Sequence, residues 1–178
     1  GAFAALKSDG SVVTWGDEYS GGDSSKVQDK LQKGVKTIYS TNGSFAALKR
    51  DGSVVTWGNV NSGGDSYAVQ NELQEGVKTI YSHGWAFAAL KGDGSVVTWG
   101  SVNSGGDSSK VKNELKEGVV TIYSNGWAFA ALKEDGSVIT WGYGRLGGNS
   151  SSVQDKLQGG VKTIYSTDRS FAALKSDG

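Results

Sequence analysis

Gly43-Ser44-Phe45-Ala46-Ala47-Leu48-Lys49-Arg50-Asp51-Gly52-Ser53-Val54-Val55-Thr56-Trp57-Gly58 holds two short apolar runs around one Asp-Gly pair. Asp-Gly between β-formers signals a hairpin, because glycine takes φ > 0 without steric cost. The same dipeptide stands at Asp9-Gly10, Asp93-Gly94, Asp135-Gly136 and Asp177-Gly178. Around it, the word Phe-Ala-Ala-Leu-Lys opens at Phe3, Phe45, Phe87, Phe129 and Phe171, always 42 residues apart. The 178-residue chain is one unit written four times, over 1–42, 43–84, 85–126 and 127–168, with a partial fifth copy over 169–178. A period of this length marks a propeller, a solenoid or another repeat array, in which each unit leans on its neighbours for a core. We read residues 1–178 as a single array.

The rest of the unit supplies two more elements. After a Gly-rich connection, Ser62-Gly63-Gly64-Asp65-Ser66, the residues Val69 and Leu73 stand four apart with polar residues between them. That spacing fits one stripe of a short helix, with Asp65 or Ser66 as its cap and Gly76 as its stop. The unit closes on Val77-Lys78-Thr79-Ile80-Tyr81-Ser82, which alternates and is rich in β-formers, so it predicts a third strand. The expected fold is mainly β with one short helix per repeat.

A simple coil would stack equivalent residues about 4.8 Å apart. It would turn Lys7, Lys49, Lys91, Lys133 and Lys175 into a ladder of like charges. More decisively, a coil does not fold back within each turn, whereas every Asp-Gly pair here does. Blade-like antiparallel sheets, as in a β-propeller, fit better; an open superhelical or solenoid array is the alternative. The tail complicates closure, because residues 169–178 repeat a strand that residues 3–7 already supply. It reads as an unpaired extra end, part of a larger ring or part of an open array.

Composition narrows the function classes. Eighteen basic and eighteen acidic residues cancel and interleave, which argues against nucleic acid as a partner. No apolar run approaches the length of about 18 residues that spans a bilayer, so no membrane insertion is expected. With no Cys there are no disulfides, thiolate nucleophiles or thiolate metal sites. Met is absent even at position 1, which points to a processed or excised piece of a longer chain.

The string Asp-Gly-Ser-Val-Val-Thr-Trp-Gly, a Gly-containing turn, Val-x-x-Ile and Ala-Ala-Leu resembles the regulator of chromosome condensation repeat family over nearly the whole chain. The fourth copy is nearest, since Tyr143-Gly144-Arg145-Leu146-Gly147 is similar to the family's Gly-x-Leu-Gly turn. The resemblance implies a β-propeller of blades. The first three copies read Ser-Gly-Gly-Asp instead, and the unit is shorter than the family's. The near-identical copies resemble repeat tracts of large bacterial surface proteins, which implies an extracellular or cell-surface setting. No functional residue of the family carries over.

Trp15, Trp57, Trp99 and Trp141 form one column, expected as core packing between sheets rather than as an aromatic platform. Trp85 and Trp127 stand where other copies have Gly1, Gly43 and Arg169, so they are not expected in the core and are candidates for a contact surface. The copies differ mainly after the second strand of the hairpin, at Tyr19, Asn61, Asn103 and Arg145, and before its first strand, at Thr41-Asn42, His83-Gly84, Asn125-Gly126 and Thr167-Asp168. Variable loops on a constant frame suit recognition, and drift at unconstrained turns explains them equally well. Asp23, Asp65, Asp107 and Asn149 could be imagined around calcium, but a cap or turn role is simpler. His83 stands alone, and there is no Gly-Lys-Ser/Thr phosphate loop or Gly-x-Ser-x-Gly elbow.

The sequence thus reads as a non-catalytic structural or adhesive repeat segment of a larger surface protein, able to self-associate through repeat edges. The alternative is a binding module that recognises a glycan, peptide or protein through its variable loops. No enzyme activity, cofactor or metal is expected.

Overall fold

The computed structural model describes residues 1–178. Its strands are β1 (Ala2–Leu6), β2 (Val12–Gly16), β3 (Val35–Ser40), β4 (Ser44–Lys49), β5 (Val54–Gly58), β6 (Val77–Ser82), β7 (Ala86–Lys91), β8 (Val96–Gly100), β9 (Val119–Ser124), β10 (Ala128–Lys133), β11 (Val138–Gly142), β12 (Val161–Ser166) and β13 (Phe171–Lys175). They form five small antiparallel sheets: β1-β2, β3-β4-β5, β6-β7-β8, β9-β10-β11 and β12-β13. This is the mainly β, blade-like architecture that the repeat predicts.

The Asp-Gly pairs at Asp9, Asp51, Asp93 and Asp135 each sit in the turn of a hairpin, while Asp177-Gly178 follows the last strand. In the second sheet Leu48 faces Val54 and Phe45 faces Trp57. Gly52 N–H donates to the Lys49 carbonyl, and Gly52 takes φ +82°. That is a three-residue loop with a left-handed glycine completing the bulge. Asp51 accepts from both the N–H and the hydroxyl of Ser53, which holds its carboxyl below the usual carboxylate range.

The third strand joins across the repeat boundary. β3 pairs with β4, so each full sheet takes its first strand from one copy and its hairpin from the next. A bulge at the start of this strand turns Lys36, Lys78, Val120 and Lys162 out to solvent, which explains a half-exposed valine in an otherwise buried run. The fifth copy is not an unpaired extra end, since β13 pairs with β12 as the second strand of a sheet.

The core lies between sheets. One cluster joins Ala46, Leu48 and Val54 of the second sheet to Val77, Ile80, Phe87, Ala89 and Trp99 of the third, with Leu73 from the connection. The middle strands β4, β7 and β10 are buried on both faces, and their Ala-Ala pairs let neighbouring sheets approach closely. The helical stripe around Val69 and Leu73 exists as short 3-10 turns, and only Gln28–Leu31 is α-helical. Its leucines do the expected packing: Leu31, Leu73 and Leu115 are buried. Asp65, one residue before the N-cap Ser66, accepts from Tyr67 N–H at 2.8 Å, while the Ser66 side chain makes no cap bond.

The two ends of the run are not packed together: no hydrophobic cluster joins the first sheet to the last, and Phe3 and Trp15 of the first sheet are exposed. The accessible surface is 9595 Å² for 18.6 kDa, against about 8,200 Å² for a compact monomer of that mass. The excess fits an open run of sheets.

Candidate functional site

The repeat-to-repeat joint centres on the tryptophan column. Phe87 and Trp99 face each other across β7 and β8 and stack at 5.1 Å. The turn of the preceding copy presses Gly63 onto that pair, at φ +105°, where an added Cβ would lie 2.6 Å from the Phe87 ring. The Trp99 indole then donates to the Gly63 carbonyl at 3.1 Å. Trp57 does the same to Gly21 and Trp141 to Gly105. Trp57, Trp99 and Trp141 are 5%, 4% and 4% exposed. Trp15, expected in the core with them, is 51% exposed, because within residues 1–178 no such glycine turn covers it.

A second set of contacts was hidden among the variable positions. Thr41 Oγ1 donates to the Ser62 carbonyl at 3.0 Å, and Asn125 Nδ2 donates to the Leu146 carbonyl at 2.7 Å. His83 occupies the same place, with Nε2 2.8 Å from the Ser104 carbonyl, Nδ1 accepting from Trp85 N–H and the ring 4.6 Å from Phe129. These two partners fix the neutral Nε2–H tautomer. The three residues tie one repeat to the next. The only signal in the sequence was that Thr, His and Asn all carry a donor.

Burial pushes the His83 pKa from 6.5 down to about 4, with the Ser104 carbonyl bond acting in the opposite sense. Between those values the unfolded chain binds a proton that the folded chain refuses. Stability is therefore full above pH 6.5, falls as pH drops, and levels off below about 4. The loss is about 3 kcal/mol at most. His83→Asn, the residue at the equivalent position 125, should keep the bond to Ser104 and flatten this dependence. Thermal unfolding at pH 7 and pH 4.5 measures it; equal acid sensitivity in both proteins would contradict the assignment.

The candidate recognition residues gather at one end of the sheets. Tyr19, Asn61, Asn103 and Arg145 hold equivalent places in the 3-10 turns that leave the last hairpin strand, and all four are exposed. Asp17 and Asn59 shape two of these turns by accepting from Ser20 and Asn61 N–H. Trp85 and Trp127 lie at the same end, in the turns before β7 and β10. Because those turns are neighbours, the two indoles stack at 5.9 Å, and Tyr143 lies 6.2 Å beyond Trp127. Trp85 is 38% and Tyr143 42% exposed, while Trp127 between them is half-buried. Tyr143 and Asn103 also line an open groove of ≈ 940 Å³ beside β11, with Val102, Lys110, Glu114 and Gln154. The aromatic row and the groove share one surface. Tyr19 and Asn61 belong to earlier copies and do not line that groove.

The polar turns form no reactive cluster. Asp23, Asp107 and Asn149, like Asp65, each accept from the N–H two residues on. No group of three or more His, Asp or Glu side chains is gathered in one place. The repeated lysines are spread by the blades: Lys91 donates to the Glu72 carbonyl and Lys133 to that of Glu114, across the repeat boundary.

No protein-family model matches the chain, and no curated protein matches it in sequence. Solved structures do match in fold. Prp20p from Saccharomyces cerevisiae, described with its binding to Gsp1p and histones, superposes with a TM-score of 0.56 at 17% identity, over 97% of this chain and 48% of its own. The same yeast protein, also named RCC1, in a structure with Kap60 gives 0.56 at 17% over 99% and 52%. The ectodomain of the Physcomitrella patens receptor kinase CR4 gives 0.59 at 16% over 99% and 48%. The chain spans about half the length of the proteins it matches. It folds as a run of propeller blades of the regulator of chromosome condensation type.

Proposed function

We propose that this chain is a non-catalytic repeat module that holds a protein partner at the loop end of its blades. The observation that carries this reading is the aromatic row Trp85–Trp127–Tyr143, set half-exposed on turns that a rigid frame positions. An exposed aromatic cluster rimmed by polar residues suits protein contact. The protein partners named for the yeast propeller are of the same class. The carboxylates bound into their own turns and the inward-facing His83 favour binding over chemistry. A surface or adhesive setting in a larger protein belongs to the same proposal, supported by near-identical copies that differ mainly in the turns flanking the hairpin.

Selection of a displayed peptide library on the chain, followed by titration of the enriched peptides, tests it. Trp85→Ala with Trp127→Ala should weaken binding by at least about tenfold, as for paired interface anchors. Because both lie outside the inter-sheet clusters, stability should fall by less than about 1 kcal/mol. Unchanged peptide affinity in the double variant would refute the reading.

A further inference from the structure

The joint between repeats is complete three times in this chain and half-made twice. At the first sheet the donor half stands bare. Phe3 and Trp15 stack at 5.4 Å like their counterparts, yet they are 62% and 51% exposed and no carbonyl meets the indole. At the last sheet the acceptor half stands bare. Gly147 presses on Phe171, but no indole reaches its carbonyl. Tyr39, Tyr81 and Tyr123 each bond a threonine 40 residues on, whereas Tyr165 is 60% exposed. Ser82, Ser124 and Ser166 each donate to the serine carbonyl 42 residues back, whereas the hydroxyl of Ser40 has no such carbonyl.

We propose that these two halves join head to tail between copies of this chain, through a shared sheet made by strand exchange. The last sheet holds a first and a middle strand, and the first sheet holds a middle and a last strand. β1 and β13 are copies of one middle strand, so a composite three-stranded sheet has room for only one of them. The tight-turned β1-β2 hairpin docks as a unit on β12, and β13 leaves. β13 is the strand to leave because it is mostly exposed and pairs with β12 alone, while β12 keeps Val161 and Ile164 in the core. Replacing β13 by β1 of the second copy exchanges like for like along β12. The net gain is the third strand, β2, and the covering of Trp15, whose indole finds the Gly147 carbonyl. A second copy is the fitting occupant because this surface already recurs inside the chain as its own interface. The loop-end residues take no part.

Sedimentation velocity on residues 1–178, from about 1 µM to about 1 mM, the range of modest interfaces, tests the joint. Dimers or longer assemblies are expected, since two copies can close a ring or more can continue the run. Trp15→Ala, at an exposed site that leaves the fold intact, should weaken association at least about tenfold, as a central interface tryptophan does. Ala172→Pro with Ala173→Pro should strengthen it: successive residues point their N–H groups to opposite sides, so one proline must break the pairing with β12 and free its edge. The chain has no Cys. Ser40→Cys on one copy, mixed with Ser166→Cys on another, should therefore crosslink through a short bis-maleimide, while neither variant alone does so. Monomer at all concentrations, association indifferent to Trp15→Ala, or no mixed crosslink would overturn the joint. Association weakened by the two prolines would overturn the exchange.

Discussion

Trp99→Ala should lower stability by about 3–5 kcal/mol, while the same change at Trp15 should cost less than about 1 kcal/mol. The two tryptophans have the same neighbours in sequence, and both stack on a phenylalanine across the hairpin. They differ in what lies over them. Trp99 is 4% exposed between two sheets, and its removal opens a cavity and leaves the Gly63 carbonyl without its indole. An unpaired buried acceptor adds about 1–3 kcal/mol to such losses. For a chain of this size each kcal/mol moves Tm by about 2–4 °C, so Trp99→Ala should unfold roughly 6–20 °C early. Differential scanning calorimetry of the two variants, run dilute so that copies stay apart, decides the matter. Equal shifts would mean that the indole column does not seal the sheets.

That contrast marks how far the sequence could be read. The word Phe-Ala-Ala-Leu-Lys gave the period, and Asp51-Gly52 with its copies gave the hairpins, because both are local signals. Which hairpin the strand Val35–Ser40 joins was not legible: a 42-residue period can be cut anywhere, and only pairing with Ser44–Lys49 of the next copy sets the phase. The same gap explains Trp15, whose environment depends on a neighbouring copy. The joining role of Thr41, His83 and Asn125 was not legible, because their acceptor is a main-chain carbonyl 21 residues on, and any residue type can supply one. Trp85 and Trp127 stood out as odd residues, but their stacking needed the spacing of adjacent turns.

The joints also determine how the chain unfolds. Stability in a repeat array is a sum of unit and nearest-neighbour terms. Here the unit term is small, since a lone three-stranded sheet leaves both faces of β4 or β7 bare, and the neighbour term contains most of the buried aromatic surface. Breaking one joint in the middle therefore uncouples the array into two runs. Trp99→Ala should broaden the transition as well as lower it, whereas a change at either end should only shift it.

Gly64→Ala should be the most damaging change of one methyl in the chain, at about 3 kcal/mol or more, the upper end of overpacking costs. Gly64 is not left-handed, so its backbone conformation suits alanine; the obstacle is space. Its turn crosses directly over the end of β5, where an added Cβ would fall on the Gly58 carbonyl group and 2.9 Å from Asn59 N. Those are main-chain atoms and cannot swing aside. The same crossing occurs at Gly22, Gly106 and Gly148. Shifting it would also move the adjacent Gly63, and with it the carbonyl that receives Trp99. Gly92 gives the opposite expectation. Its nearest added contact is 3.8 Å away, its φ is not positive, and the equivalent copies hold Arg50 and Glu134. Gly92→Ala should leave stability unchanged or raise it by about 0.4–1 kcal/mol through the unfolded chain. Urea unfolding of the two variants separates them: Gly64→Ala should move the midpoint far down and Gly92→Ala should not. A tolerated alanine at position 64 would mean that the turn has room to lift off β5, and that the seat of the indole column is not rigid.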